Sequence, residues 1–68
     1  MKPKQLRDMS DAELHREVGE LRRALFNLRL QRAIGQLEKP HKLSAARRDL
    51  ARTLTILRQR ELTAKEAR

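Results

Sequence analysis

The chain has no cysteine, no tryptophan and no tyrosine, and Phe26 is its single phenylalanine. Without cysteine there are no disulfides and no thiolate metal sites, and with a single aromatic residue there is no stacking platform for unpaired bases. Gly19 and Gly35 are the only glycines, so neither a glycine-rich phosphate loop nor a nucleophile elbow can be assembled. Apolar runs are short as well. None approaches the ~18 residues of a membrane span, and Met1 to Leu6 lacks the apolar stretch of a signal peptide. A soluble cytoplasmic protein without a membrane span is the expectation.

What the chain does have is charge, with 17 Lys+Arg against 9 Asp+Glu, a formal net charge of +8 and a pI of about 11.4. That balance suits a polyanionic partner. Its length of 68 residues allows one small domain, and a core below ~70 to 80 residues seldom supplies more than ~3 to 5 kcal/mol. With no disulfide or metal to staple it, the fold is expected to lean on a partner.

Residues 1–9 are polar and basic, Pro3 biases Lys2 toward an extended conformation, and order here is expected to depend on context. Ser10-Asp11-Ala12-Glu13 fits a capping box, with Met9 and Leu14 at the positions of a hydrophobic staple. Leu14, Val18, Leu21, Leu25 and Leu28 then recur at steps of four and three, which lines one side of a helix over about residues 10–34. Gly35 suits the left-handed position just past its end. A connection over residues 35–40 follows, with Pro40 suited to the first turn of the next helix. The second helix spans about 41–62, with Leu43, Ala46, Leu50, Leu54 and Leu57 as its stripe, and residues 63–68 are read as a fraying polar tail.

These assignments describe one all-α domain over residues 1–68, an antiparallel two-helix hairpin with a coiled-coil-like seam. In the expected register Val18 faces Leu57, Leu21 faces Leu54, Leu25 faces Leu50, and Leu28 meets Ala46 and Leu43. Arg58 falls opposite Glu17. No third element is apparent to cover another face.

The charge is unevenly spread. Residues 29–60 hold nine bases and two acids, against six and five in residues 1–28 and two of each in residues 61–68. In the hairpin Arg29, Arg32, Lys39, Lys42, Arg47, Arg48 and Arg52 gather at the loop end, opposed by Glu38 and Asp49. Arginines outnumber lysines twelve to five, and the guanidinium fork grips phosphate through two hydrogen bonds where an ammonium acts as a point charge. Nucleic acid is therefore the expected partner, with Arg58 and Arg60, near the open end, left out of the contact.

A second apolar row, Phe26, Leu30, Ala33 and Leu37, lies about 100° around the first helix from the seam. It is either a widened seam shielded by arginine stems or a protein-contact face. Glu38-Lys39-Pro40-His41 has Glu-x-x-His spacing, but carboxylate-bridged metal sites need a second such pair and further inward glutamates. His41 is therefore expected to be a polar or RNA-facing loop residue, and His15 a solvated helix residue. A two-helix hairpin encloses no substrate-sized cavity, so no catalytic residue, metal site or cofactor is expected.

The stretch Leu25-Phe26-Asn27-Leu28-Arg29-Leu30-Gln31-Arg32-Ala33-Ile34-Gly35-Gln36-Leu37 resembles the signature of a known family, the bacterial large-ribosomal-subunit protein twenty-nine family. Arg47 to Arg58 and Leu6 to Leu14 are also similar, so the resemblance covers about residues 4–62. Leu30 stands where the family usually has Phe, and Ile34 where it often has a small or hydroxyl residue. The resemblance implies a non-enzymatic ribosomal component bound to large-subunit rRNA near the polypeptide exit tunnel. It further implies ribosomal protein twenty-three as a neighbour, at a rim where trigger factor and the signal recognition particle dock.

The expected RNA-binding residues are accordingly Arg29, Gln31, Arg32, Gln36, Lys39, His41, Lys42, Arg47, Arg48 and Arg52, with the two glutamines as neutral donors. Such backbone contacts position a protein without reading sequence. Two rivals share these features: a free homodimeric RNA-binding regulator whose second stripes pair into a four-helix bundle, and an interaction module laid on an acidic protein.

Overall fold

The computed structural model describes residues 3–66. The extended bias expected at Lys2 and the last two positions of the polar tail lie outside them. Three helices follow one another: α1 (Pro3–Arg7), α2 (Asp11–Ala33) and α3 (Pro40–Glu66). The two long helices pack side by side into a rod of 50 × 18 × 15 Å, and no strand occurs among the described residues.

Local chemistry accounts for the helix ends. The Glu13 amide donates to Ser10 Oγ at 3.2 Å while the Ser10 amide donates to Glu13 Oε1 at 3.4 Å, a reciprocal capping box. Gly35 has φ 74°. The Gly35 amide donates to the Arg32 carbonyl at 3.1 Å and the Gln36 amide to the Gln31 carbonyl at 2.7 Å. That pair of bonds is the Schellman closure, and it needs a left-handed residue at the position Gly35 holds. Pro40 opens α3, where a missing N–H removes no helical hydrogen bond.

Two apolar clusters fill the seam. At the loop end Leu25, Leu43 and Ala46 are buried together, with Leu28 and Leu50 against them. Toward the termini Leu14, Val18, Ile56 and Leu57 are buried with Leu6, with Met9 and Leu50 packed on. Leu50 touches both and joins them into one seam. Val18 and Leu57 share a cluster, as do Leu28, Ala46 and Leu43, in keeping with the expected register.

The seam differs from the leucine spacing on α3. Thr53 is fully buried and Ile56 is buried, whereas Leu54 is 39% exposed. Positions 43, 46, 50, 53 and 57 step by three and four, so Thr53 occupies a seam position that a polar residue disguises. Its hydroxyl is satisfied by donating to the Asp49 carbonyl at 2.8 Å, which removes the penalty that would otherwise keep it out of a core.

A third element does exist. Leu6 is fully buried against the cluster at the open end, carried there by α1, and this contact explains why Ile56 is buried although it lies beside the α2–α3 seam. A single leucine in a polar stretch sets up no periodicity, so α1 has no local signature. The far end of α3 also departs from expectation, since the helix runs on to Glu66 rather than stopping near Leu62. Thr63 belongs to that helix and its hydroxyl donates to the Gln59 carbonyl at 2.9 Å. Residues 63–66 contain neither glycine nor proline, so nothing local stops propagation.

The interhelical ion pair is also different. Arg60, not Arg58, crosses to α2, with Nη1 2.8 Å from Asp11 Oδ1 and Nη2 donating to the Arg7 carbonyl at 3.0 Å. Among the described residues neither Arg58 nor Glu17 forms an ion pair.

Candidate nucleic-acid interface

The Schellman closure of α2 does more than end a helix. By folding the chain back at Gly35 it brings Gln31 and Gln36 to one hollow, whose other walls are Leu28, Leu37, Glu38, Lys39 and Lys42. Two neutral amides and two ammonium groups thus converge between the end of α2 and the start of α3. The first turn of α3 carries no acid, so the positive end of its dipole adds to the charges of Lys39 and Lys42, with Glu38 the one carboxylate among the described residues that line the hollow. The Lys42 amide donates to the Lys39 carbonyl at 3.1 Å, closing that turn.

The arginines divide into groups. Arg29 and Arg47 face each other across a groove floored by Leu25, Leu50, Ala51 and Leu54. Arg52 turns to another side, beside Ala51, Thr55, Ile56, Gln59 and Arg7 of α1, and its guanidinium lies 3.9 Å from the Asp49 carboxylate. His41, Arg48 and Arg52 share the outer face of α3 by their spacing of seven and four. Arg32 is exposed in the last turn of α2. All ten candidate residues are exposed, but they do not lie on one face. They form a sleeve of positive charge around the loop end, about 15 Å long on α3 between Lys42 and Arg52 at 1.5 Å per residue.

The second apolar row is only partly as expected. Phe26 is 66% and Leu30 51% exposed, and Ala33 is exposed beside them, so the row is not a widened seam. Leu37 is not part of it. The helical spacing fails beyond Ala33, and Leu37 is half-buried in the hollow between the helices. Ile34, 58% exposed at the end of α2, continues the row in its place.

The fold also brings alongside the sleeve basic residues that the sequence reading does not include in it, Arg58 being set apart there near the open end. Arg22 and Arg58 line a hollow with His15, Val18, Leu54, Leu57 and Glu61, and Arg7 adjoins Arg52. A signal for the first pair was present: Arg22 and Arg29 are seven residues apart and Arg47 and Arg58 eleven, close to two and three full helical turns. Among the described residues no group of His, Asp and Glu is arranged to hold a metal ion, and no helix is long and apolar enough to cross a membrane.

Comparison with known proteins gives one consistent picture. Residues 4–60 match the family described as Ribosomal L29 protein. A protein of Persephonella marina named large ribosomal subunit protein uL29 is 52% identical over 93% of this chain and 93% of its own. The protein of the same name from Alkaliphilus oremlandii is 52% identical over 100% of this chain and 98% of its own. That from Moorella thermoacetica is 48% identical over 98% and 100%.

Proposed function

Because the chain belongs to the ribosomal L29 protein family, we infer that it is a structural, non-enzymatic constituent of the large ribosomal subunit whose loop end lies on ribosomal RNA. The observation that supports this orientation is the cationic sleeve. Arg29, Gln31, Arg32, Gln36, Lys39, His41, Lys42, Arg47, Arg48 and Arg52 are all exposed around the loop end, and neutralising phosphates there releases condensed counterions. Guanidinium and amide donors on several sides suit a folded RNA whose strands approach from more than one direction. The contacts are to backbone and shape, so fit to the folded RNA supplies the specificity.

The exposed row of Phe26, Leu30, Ala33 and Ile34 is the surface we assign to a neighbouring protein, since a contiguous exposed apolar strip is the kind of surface that serves as a protein contact. The family resemblance points to ribosomal protein twenty-three as that neighbour, near the polypeptide exit tunnel. Trigger factor and the signal recognition particle are then candidates for transient contact at the same rim.

Two experiments test this. The chain is expected to sediment with large subunits through a moderate-salt wash, and recovery only in the free fraction would overturn the ribosomal reading. Replacing Arg47, Arg48 and Arg52 by Glu is expected to abolish association with large-subunit RNA. A tight homodimer at micromolar concentration, with no RNA loss in that variant, would favour a free regulator instead.

A further inference from the structure

One long face of the hairpin is left open. On the other, α1 brings Arg7 beside Ile56 and Gln59, but among the described residues none from α1 lines the two hollows that make up this groove, one flanked by His15, Arg22, Arg58 and Glu61 and the next by Arg29 and Arg47. Leu54 lines both hollows, so they adjoin at that residue along one side of the hairpin. Because the helices are antiparallel, Arg29 and Arg47 stand level on opposite rims toward the loop, and Arg22 and Arg58 lie on opposite rims toward the termini, with Arg58 about one helical turn farther along. On α3 the two rim arginines are separated by about 16 Å along the axis, and on α2 by about 10 Å. One carboxylate, Glu61, lies among them.

We propose that this groove carries a further stretch of RNA backbone, with Arg22 and Arg58 extending the contacts of Arg29 and Arg47 toward the open end of the hairpin. The inference rests on the RNA reading above and names residues outside the loop-end set. Three features favour RNA as the occupant. All four rim cations are arginines, whose planar forks hold phosphate through two hydrogen bonds. The upper pair already belongs to the sleeve, so a strand leaving the loop end meets the lower pair without crossing an acidic gap. A second copy of this chain is disfavoured, because like rims would oppose four arginines with four more. Leu54 and the aliphatic arginine stems give an apolar floor on which sugar edges can lie. The same geometry separates Arg58, which faces the groove, from Arg60, which is engaged by Asp11 and the Arg7 carbonyl.

The test is a titration of the full chain with large-subunit ribosomal RNA at several salt concentrations. The doubly substituted R22E/R58E chain is compared with R16E/R23E, which makes the same charge change at exposed α2 positions that line none of these grooves. R22E/R58E is expected to weaken binding by about tenfold or more and to flatten the dependence of log affinity on log salt by about 1.4 to 1.8, the loss of two phosphate contacts. R22Q/R58Q should show the same flattening with a smaller loss of affinity. If R22E/R58E binds and responds to salt as the parent chain does, or if R16E/R23E is equally impaired, the groove is not an RNA path, and an acidic protein segment becomes its better occupant. That result leaves the loop-end reading intact provided R47E/R48E/R52E still loses RNA. Failure of the parent chain itself to bind RNA would overturn both.

Discussion

The Arg60 guanidinium reaches across the open end of the hairpin to the Asp11 carboxylate at 2.8 Å, and the same group donates to the Arg7 carbonyl at 3.0 Å. One side chain on α3 thereby ties down both the first turn of α2 and the last residue of α1. Exposed ion pairs contribute only ~0 to 1 kcal/mol, and Asp11 is 71% exposed on its side chain. Replacing Arg60 by Ala removes the backbone contact as well. We expect a loss of about 1 kcal/mol, read as a fall of roughly 4 to 8 °C in the melting temperature of the isolated chain. RNA affinity should be little changed. A large loss of RNA binding with an unchanged melting curve would show that Arg60 belongs to the interface and not to the fold.

The two glycines should respond to alanine with opposite signs. Gly19 lies in the middle of α2, and a Cβ built there meets nothing within 4 Å. Alanine at this position should stabilise the chain by about 0.5 to 1 kcal/mol, through helix propensity and lower entropy of the unfolded chain. Gly35 also has open space around it but holds φ 74°, where an L side chain costs about 1 to 2 kcal/mol. Gly35→Ala should therefore lower the melting temperature, and it should also loosen the hollow in which Gln31 and Gln36 meet. Equal and positive shifts in the two variants would mean that the Schellman closure is not maintained in solution.

The position of the seam on α3 makes a sharper test, because a buried threonine and an exposed leucine sit side by side. Thr53→Val keeps the shape and removes a hydroxyl whose acceptor, the Asp49 carbonyl, retains its place in the helix. We expect a change within about 1 kcal/mol, toward stabilisation. Ile56→Ala should cost about 2 to 5 kcal/mol by opening a cavity under Leu6 and Leu14, whereas Leu54→Ala should cost less than about 1 kcal/mol. Thermal melts of the three variants rank them. A Leu54→Ala penalty above that of Ile56→Ala would restore the plain leucine register.

Those three residues also indicate which kinds of feature can be read from sequence. The capping box at Ser10 and Glu13, the left-handed Gly35 and the seam residues Leu14, Val18, Leu25, Leu43 and Leu57 follow from spacing or backbone chemistry within a few residues, and all are legible. Leu6 and Ile56 are buried because distant segments cover them, and no local pattern encodes that. Thr53 was hidden because its hydroxyl is satisfied inside its own helix. For the candidate site, the position of positive charge along the rod was legible, since it depends on residue number and antiparallel folding. Its distribution around the rod was not, because a helix turns about 100° per residue and small shifts of the seam decide which groove an arginine flanks.

The exposed row on α2 gives the last prediction. Phe26, Leu30 and Ile34 are each more than half exposed, so replacing Phe26 and Leu30 by Glu removes little buried area and should change the stability of the free chain by less than about 1 kcal/mol. Neither residue belongs to the loop-end sleeve, so affinity for naked large-subunit RNA should fall by no more than the added negative charge requires, an effect that weakens as salt is raised. The consequence should appear in the assembled particle, where two carboxylates would be pressed against an apolar neighbour without partners. We expect the variant to be depleted from large subunits purified through moderate salt, and a conservative Phe26→Leu chain to be retained. Full retention of the doubly acidic variant would mean that this row faces solvent in the particle, and that protein neighbours are held by some other surface.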